Sequence, residues 1–401
     1  MSKKKGAVIT LIVLLVAALA FGGFHFFTSL PEMRIAAAGN FHTVAIATDG
    51  SLWAWGRNDR GQLGDGTRTN RDRPVQIGTE TDWVSVVAGG SHNVAIRADG
   101  SLWAWGRNDR GQLGDGTTYD RARPIQIETD ADWTSVVAGS DFTFAIKEDG
   151  SLWHWGSRWF FVKHPESPDP PLWGEYQGYS TTPTQVGSET DWTSISADIR
   201  HVTATKVDGT LWAWGEVGRD DRDRIVVGFC EDTNTETIRR DITMRRVSFD
   251  PLQLGTDADW VSAAAGGYET LSIRADGTLW WWRAFPFGDF TGTDIAAPVQ
   301  AWTDMTWATV VISGTWYLER AAAICTDGRL WVWGCRPWCD VCGDGTPEST
   351  EYLRPVQEET AADWISVSLG SNHIVATRAD GSIWTSDGCF LNLRPILRRS
   401  F

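Results

Sequence analysis

Short apolar runs separated by turn residues follow one another along the chain from residue 33 to residue 397. Asp82–Ile127 contains four of them: Trp83–Ala88, Asn93–Ala98, Ser101–Trp105 and Arg123–Ile127. Asp99-Gly100 separates the second run from the third, and Asp-Gly between apolar runs is a strong hairpin signal because the turn needs positive φ angles. The pattern predicts four short antiparallel strands per unit.

The unit is a repeat. Ser51–Thr67 (SLWAWGRNDRGQLGDGT) recurs letter for letter at Ser101–Thr117, fifty residues later. Weaker copies of its first residues, each preceded by Asp-Gly, begin at Ser151, Thr210, Thr278, Arg329 and Ser382. Seven units of four strands, with apolar residues on both faces of the third strand, are typical of sheets stacked against neighbours. We therefore predict an all-β, seven-bladed β-propeller of four-stranded blades.

The turns and the proline of each fourth strand divide the propeller, residues 31–401, into blades. The predicted blades are roughly 31–78, 79–128, 129–187, 188–255, 256–301, 302–358 and 359–401. The last strand, Leu393–Leu397, should lie near Ile35 and close the ring. Because each blade is stabilised by its neighbours, deletion of the seventh should unfold the whole domain.

Residues 1–30 have a different character. Lys3–Lys5 precede an uncharged apolar run, Gly6–Phe27, of 22 residues. That length crosses a bilayer of about 30 Å, and the basic flank predicts that the repeats lie outside the cytoplasm. Ala18–Ala20 also fits a signal-peptide cleavage site, which would give a secreted protein. We expect an uncleaved signal anchor that holds the protein at the cell membrane through residues 6–27, with secretion as the alternative.

The net charge is −15, and Lys3–Lys5 are the only charged residues of the first thirty, so residues 31–401 are more acidic still. An acidic surface repels phosphate backbones, and we expect no nucleic-acid partner.

Several motifs recur at fixed positions of the unit: G-x-x-H, DG-[ST]-LW-x-WG, N-x-x-GQLG-x-G and P-x-Q. Together they resemble the regulator of chromosome condensation repeat, a family that forms seven-bladed propellers. The resemblance covers Met33–Phe401, and the first two units match in full. It implies the fold and leaves the activity open, since propellers serve many functions. The family's exchange factors act on a small nuclear GTPase, which an exported protein of bacterial type would not meet.

Two patterns suggest metal sites and have simpler explanations. His42, His92, His201 and His373 each lie seven residues before a turn aspartate. Zinc needs nitrogens at 2.0–2.1 Å, closer than different blades bring them, so we expect each imidazole to hydrogen-bond the turn between the first two strands. The loop Asn58–Thr67 lacks the closing glutamate of a calcium loop, and turn chemistry explains its Gly and Asp residues.

The cysteines Cys335, Cys339 and Cys342 lie close together in the loop of the sixth unit. In an exported domain we expect disulfides among the cysteines, whose pairing the sequence leaves open. A zinc ion on three thiolates is the alternative. We predict no metal and no cofactor.

The loop after the third strand differs in length between units, whereas the Asp-Gly turn does not. Equivalent insertions emerge on one face of a ring, which predicts the binding face. The candidate binding residues are Trp159, Phe160, Phe161, Trp173, Tyr176 and Tyr179 in the third unit and Trp338 in the sixth. Exposed aromatic side chains are typical interface anchors. Alternatively, these side chains cover their own blade.

The sequence shows no Ser/His/Asp elbow, no phosphate loop and no distinctive carboxylate pair. We therefore expect a non-catalytic module or scaffold that binds a protein, whose identity the sequence leaves open. One alternative is a secreted enzyme inhibitor, by analogy with a propeller that inhibits beta-lactamases through aromatic loop residues. Another is an enzyme or carbohydrate-binding propeller that acts on cell-surface polysaccharide.

Overall fold

Seven four-stranded antiparallel sheets follow one another along the chain, each built from four strands in chain order, and in the fourth sheet a small hairpin intervenes between the third and fourth strands. The structure is a computed structural model. It describes residues 31–157, 179–198, 201–215, 217–219, 225–227, 248–266, 269–283, 298–315, 318–334, 355–358, 361–371, 373–387 and 393–396. Pro31–Ile396 form one structural unit. The prediction of an all-β propeller with seven four-stranded blades is confirmed.

The strands of the first four blades have the following bounds. Blade one contains Met33–Ala38, His42–Ala47, Leu52–Gly56 and Arg71–Ile77. Blade two contains Trp83–Ala88, His92–Arg97, Leu102–Gly106 and Arg121–Ile127. Blade three contains Trp133–Ala138, Phe142–Lys147, Leu152–Ser157 and Tyr179–Gln185. Blade four contains Trp192–Ala197, His201–Lys206, Leu211–Gly215 and Ser248–Gln253.

The last three blades follow the same order, and one small hairpin lies outside the blades. Blade five contains Trp260–Ala265, Glu269–Arg274, Leu279–Arg283 and Val299–Ala301. Blade six contains Trp307–Thr315, Leu318–Cys325, Leu330–Trp333 and Val356–Gln357. Blade seven contains Trp364–Leu369, His373–Arg378, Ile383–Asp387 and Arg394–Pro395. The hairpin pairs Val217–Arg219 with Ile225–Val227.

The first strands form the innermost ring, in which each contacts the first strand of the next blade. Strand alternation places the two faces of a blade against different neighbours. Leu52 and Ala54 pack with Trp83 of blade two, whereas Trp53 packs with Val375 of blade seven. The core is therefore divided into seams, one between each pair of neighbouring blades.

The ring closes by contact between complete blades, because no sheet shares strands from both ends of the chain. The first strand of blade one contacts the first two strands of blade seven. The backbone nitrogen of Met33 donates to the carbonyl of Gly381 at 2.9 Å, and that of Ala38 to Ser368 Oγ at 3.0 Å. Ile396 packs against the apolar cluster of this seam, which includes Met33 of blade one and Val375 of blade seven.

The two ends of the ring carry different connections. We call the end with the Asp-Gly turns and the connectors between blades the turn face. The opposite end carries the turns between first and second strands and the loops between third and fourth strands, and we call it the loop face. At the turn face each Asp-Gly glycine accepts a backbone hydrogen bond from the next blade, as in Trp133 N to Gly100 O at 3.2 Å.

Among the residues that the structure describes, no helix is long and apolar enough to span a membrane. The predicted anchor, Gly6–Phe27, lies outside those residues.

Candidate binding surfaces

Among the described residues, three aromatic side chains are exposed on the loop face. Phe41 lies in the first turn of blade one, Tyr119 in the loop of blade two and Tyr179 at the start of the fourth strand of blade three. Their exposed fractions are 47%, 73% and 45%. The guanidinium carbon of Arg57 lies 5.5 Å from the centroid of the Phe41 ring.

Tyr179 is the predicted binding residue that the structure describes. The others lie outside the described residues: Trp159, Phe160, Phe161, Trp173, Tyr176 and Trp338. Cys335, Cys339 and Cys342 also lie outside them. Tyr179 pairs with Ser157, so the two ends of the blade-three loop meet on the loop face. Gly116 of blade two donates its N–H to the carbonyl of Thr181 at 2.8 Å, which joins the loop carrying Tyr119 to the strand carrying Tyr179.

The loop Asn58–Thr67 fastens blade one to blade two. Its Leu63 is fully buried in the seam, and its Gln62 carbonyl accepts from Trp105 Nε1 at 3.1 Å and from Asn93 Nδ2 at 2.7 Å. Its Asp65 is held by Arg71 at 2.7 Å. The loop's Gly61 and Gly64 approach Ala122 and Trp105 of blade two, whereas its Asp65 ties the loop to its own blade. Among the described residues no group of three or more His, Cys, Asp or Glu side chains could hold a metal ion.

The buried histidines link neighbouring blades. His92 Nε2 lies 3.1 Å from Thr143 Oγ1 of blade three, and His42 Nε2 lies 2.8 Å from Asn93 Oδ1 of blade two. His373 Nε2, 2.9 Å from Thr43 Oγ1, makes the same link across the closure of the ring. The expected bond to the turn of the same blade is replaced by a bond to the following blade. The first two pairs join residues 51 positions apart, and the pair at the closure of the ring joins residues 330 positions apart.

Burial determines the protonation of these imidazoles, because a charged ring would lose its hydration. Desolvation lowers the pKa of His42 from 6.5 to about 4 and that of His92 to about 3. It lowers the pKa of His201 to about 3 as well. The imidazoles of His42, His92 and His201 are therefore neutral at pH 7. At the equivalent position blade three has Phe142, which packs against Val202 of blade four, so an apolar pair replaces the hydrogen-bonded one.

The turn face concentrates acidic residues. All seven turns begin with aspartate: Asp49, Asp99, Asp149, Asp208, Asp276, Asp327 and Asp380. Connectors add further acids, such as Asp130 and Asp132 before Trp133. Hydrogen bonds from Ser101 lower the pKa of Asp99, and Thr278 does the same for Asp276. The turns are therefore anionic at neutral pH.

Five blades hold a cation between two tryptophans at this face. In blade three the Lys147 Nζ lies 4.7 Å from the Trp133 ring and 4.9 Å from the Trp153 ring. It also lies 2.8 Å from Asp130 Oδ2 and 3.3 Å from Asp132 Oδ1. The equivalent cations of blades two, four, five and seven are Arg97, Lys206, Arg274 and Arg378. We call this arrangement of a cation, two indoles and connector acids the cation clip.

Blades one and six lack the clip. Their residues at the cation position are Ala47 and Cys325, both buried. Blade six keeps both tryptophans, Trp307 and Trp331, and has Thr306 where blade three has Asp132. The sequence carries a signal for the clip that our sequence reasoning missed. A Lys or Arg stands two residues before the turn aspartate wherever an acid and a Trp open the blade, and both exceptions lack that acid–Trp pair.

The repeat units can now be compared with known proteins. Residues 49–96 and 99–146 match the model of the regulator of chromosome condensation (RCC1) repeat, and residues 35–62 and 83–112 match a second model of that repeat. The chain contains RCC1 repeats. The matches fall in the first three blades, which share the Asp-Gly turn and the two tryptophans of the third strand, and the first two of these blades also have the GQLG loop.

Two curated relatives match over short segments. The chain is 50% identical over 36 residues to the Danio rerio Protein RCC2 homolog, which is 9% of this chain and 7% of the relative. It is 32% identical over 74 residues to the Caenorhabditis elegans X-linked retinitis pigmentosa GTPase regulator homolog, which is 18% of this chain and 5% of that relative. The matched segments thus span less than a tenth of either relative.

Solved structures match over most of the chain. Prp20p from Saccharomyces cerevisiae is 18% identical with a TM-score of 0.64, and the match covers 88% of this chain and 87% of Prp20p. Human WBSCR16 is 17% identical with a TM-score of 0.61 and 87% coverage of both chains. At this level of identity the likeness shows a shared fold.

Proposed function

We propose that this chain is a non-catalytic protein-binding propeller whose partner docks on the loop face at blades one to three. The observation that carries the proposal is the exposure of Phe41, Tyr119 and Tyr179 on that one face. Tyrosine and phenylalanine supply large contact areas with little loss of side-chain freedom on binding. The proposal also assigns partner contacts to Trp159, Phe160, Phe161, Trp173 and Tyr176 on the evidence of the sequence.

Proteins of similar fold support the proposal by analogy. The structure of yeast Prp20p was described together with its binding to Gsp1p and histones. A second structure contains Kap60 bound to yeast RCC1 (Prp20). A rigid ring with exposed loop residues suits such docking because few groups must become ordered on binding.

Binding of the full-length protein to a partner isolated by affinity capture tests the proposal. Tyr119→Ala and Tyr179→Ala together should weaken binding at least thirtyfold, about 2 kcal/mol, as expected for interface anchors. The melting temperature should stay the same, because both side chains are exposed. Val84→Ala, a change at an exposed residue of the turn face, is the matched control. Unchanged affinity in the double variant together with loss in the control would contradict the assignment of the face.

The proposal also places the propeller outside the cytoplasm, held by residues 6–27. Its support is the 22-residue apolar run after Lys3–Lys5. Alkaline carbonate extraction should leave the full-length protein in the membrane fraction, and a variant lacking residues 6–27 should be soluble. A mature protein whose first residue is Phe21 would show cleavage and would rule out the anchor.

A further inference from the structure

The turn face opens into a groove at one seam, between blades five and six. The groove has a volume of about 400 Å³. Blade five contributes Val261, Ile273 and the turn Ala275–Gly277, and blade six contributes Thr306–Ala308 and Thr326. Val261 is 54% exposed, and the same position of the first strand is exposed in the other blades too, for example Val84 at 39% and Ile365 at 51%.

At this seam the connector leaves more room beside the preceding turn glycine than the other connectors do, although Trp307 N still donates to Gly277 O at 2.8 Å. A methyl group placed on Gly100 would lie 2.4 Å from the carbonyl oxygen of Ala131, and one on Gly209 would lie 2.3 Å from that of Ala258. On Gly277 the nearest atom would be Thr306 Cβ at 3.1 Å.

The seam also lacks the long cation that faces the preceding blade in blades two, three, four, five and seven. Cys325 takes the position of Lys147, and its short side chain pairs in register with Trp307 inside the seam. Arg274 borders the groove, but it is bonded to Asp257 and Asp259 and lies over the Trp260 and Trp280 rings. The positive charge of Arg274 is therefore neutralised by acidic residues in the connector of its own blade.

One carboxylate, Asp276, lines the groove. Asp276 accepts hydrogen bonds through Oδ1, from Thr278 N at 2.9 Å and from Thr278 Oγ1 at 2.6 Å, and the residue is exposed. Asp304 stands in the adjoining connector and is exposed. An apolar floor beside carboxylates suits an aliphatic stem that ends in a cation.

We infer that this groove binds a lysine or arginine side chain on a basic segment of a partner protein. The methylene stem packs on Val261 and Ala308, and the charged end meets Asp276. The molecule already uses this chemistry within its own blades, where Lys147 lies between indole rings and reaches connector acids. The surrounding turn aspartates attract basic segments and repel nucleic acid and anionic lipid. The inference does not depend on which partner docks on the loop face.

A fluorescein-labelled decalysine peptide is a suitable probe of the full-length protein, with decaglutamate as the negative control. At 150 mM salt, Val261→Lys should weaken decalysine binding at least tenfold, because it places the protein's own cation in the groove. Asp276→Asn keeps the Oδ1 acceptor of the turn and should weaken binding about threefold. The repeat supplies matched controls, Val84→Lys and Asp99→Asn in blade two, which change the same positions and charges away from the groove and should each alter binding less than twofold.

Equal losses in the blade-five and blade-two variants would show general attraction to an acidic face and would overturn the inference. Carbodiimide cross-linking gives a second measurement that does not depend on variants. It joins a lysine amine to a carboxylate in contact with it, and mass spectrometry should find decalysine mainly on Asp276 or Asp304. Cross-links spread evenly over all seven turn aspartates would also contradict the inference. Circular dichroism should show the same melting temperature for each variant as for the unmodified protein.

Discussion

The seam between blades two and three and the seam between blades five and six arise from the same repeat and close in different ways. In the first, Lys147 lies between Trp133 and Trp153 and reaches the connector acids. In the second, Trp302 is packed into the seam, stacked on Trp281 at 6.2 Å and in contact with Trp333 at 4.8 Å. One seam is covered at its surface by a cation, and the other is filled by an indole.

This difference shows which parts of the repeat can vary. Both seams keep the buried first-strand tryptophan and the backbone bond from its nitrogen to the preceding turn glycine. The residues that cover the seam at the turn face are exchanged as a set, since Cys325 and Thr306 replace the cation and the acid together. Trp302 adopts a φ of 48°, a left-handed conformation that Gly78 and Gly255 adopt at equivalent positions of other blades. The strain at Trp302 is offset by its aromatic contacts.

The largest effect is expected from the buried first-strand tryptophan, of which each seam has its own copy. Trp133→Ala should lower the free energy of unfolding by about 3–5 kcal/mol, because it leaves a cavity in a fully packed seam. Trp307→Ala should have a similar effect in blade six. In a double-mutant cycle, Trp133→Ala and Lys147→Met should show a coupling free energy of about 1 kcal/mol. The equivalent cycle in blade six, Trp307→Ala and Cys325→Ala, should show none of this coupling, because blade six has no cation at that position. Urea denaturation measures all of these, and equal coupling in both blades would show that the clip contributes nothing of its own.

The next effect depends on pH and compares His92–Thr143 with the natural apolar pair Phe142–Val202. The folded state lowers the pKa of His92 to about 3, so the unfolded chain binds the proton more readily between pH 6.5 and 3. Stability should therefore be unaffected above pH 6.5 and fall as the pH decreases, by about 1.4 kcal/mol per pH unit for each such histidine.

The double variant His92→Phe and Thr143→Val copies the apolar pair into the seam between blades two and three. Between pH 6.5 and 5, the free energy of unfolding of this variant should change less steeply with pH than that of the unmodified protein. The difference should be about 1.4 kcal/mol per pH unit, the contribution of one histidine. Chemical denaturation at several pH values measures the slope, and this window lies above the range in which most carboxylates titrate. An unchanged slope would mean that His92 is not protonated preferentially in the unfolded chain.

A smaller effect separates the turn glycines of the two seams. Gly100 and Gly277 both have φ near 80°, so alanine should cost about 1 kcal/mol at either. At Gly100 the new methyl group also meets the Ala131 carbonyl at 2.4 Å, and the total should be about 2–3 kcal/mol. Gly277→Ala is the matched control, because its nearest neighbour lies at 3.1 Å. Equal melting temperatures for the two variants would contradict the more open connector at blade six.

The smallest effect is expected from the cation itself. Lys147→Met keeps the apolar stem and removes the ammonium group, and should cost about 1 kcal/mol through lost contact with the indole faces. Asp130→Asn should change stability by less than about 0.5 kcal/mol, since that carboxylate is exposed and its ion pair is screened by solvent. If Lys147→Met is as stable as the unmodified protein while Asp130→Asn is not, the ion pair outweighs the contacts with the rings.

The sequence by itself determined the number of blades, the four strands of each and the two faces of the third strand. These features follow from contacts between near neighbours in the chain, which leave a period of two in the strands and a fixed turn between them. It also placed the insertions at one end of the ring, and Tyr179 lies at that end.

Only the tertiary structure decided which side chains meet across a seam. His92 meets Thr143 and His373 meets Thr43, although these pairs are 51 and 330 residues apart in the chain. The local pattern around each residue does not specify such distant partners, because they depend on how complete blades stack. The groove at blade six has the same origin. The exchange at Cys325 is visible in the sequence, but the opening beside Val261 depends on where the connector lies against the preceding turn.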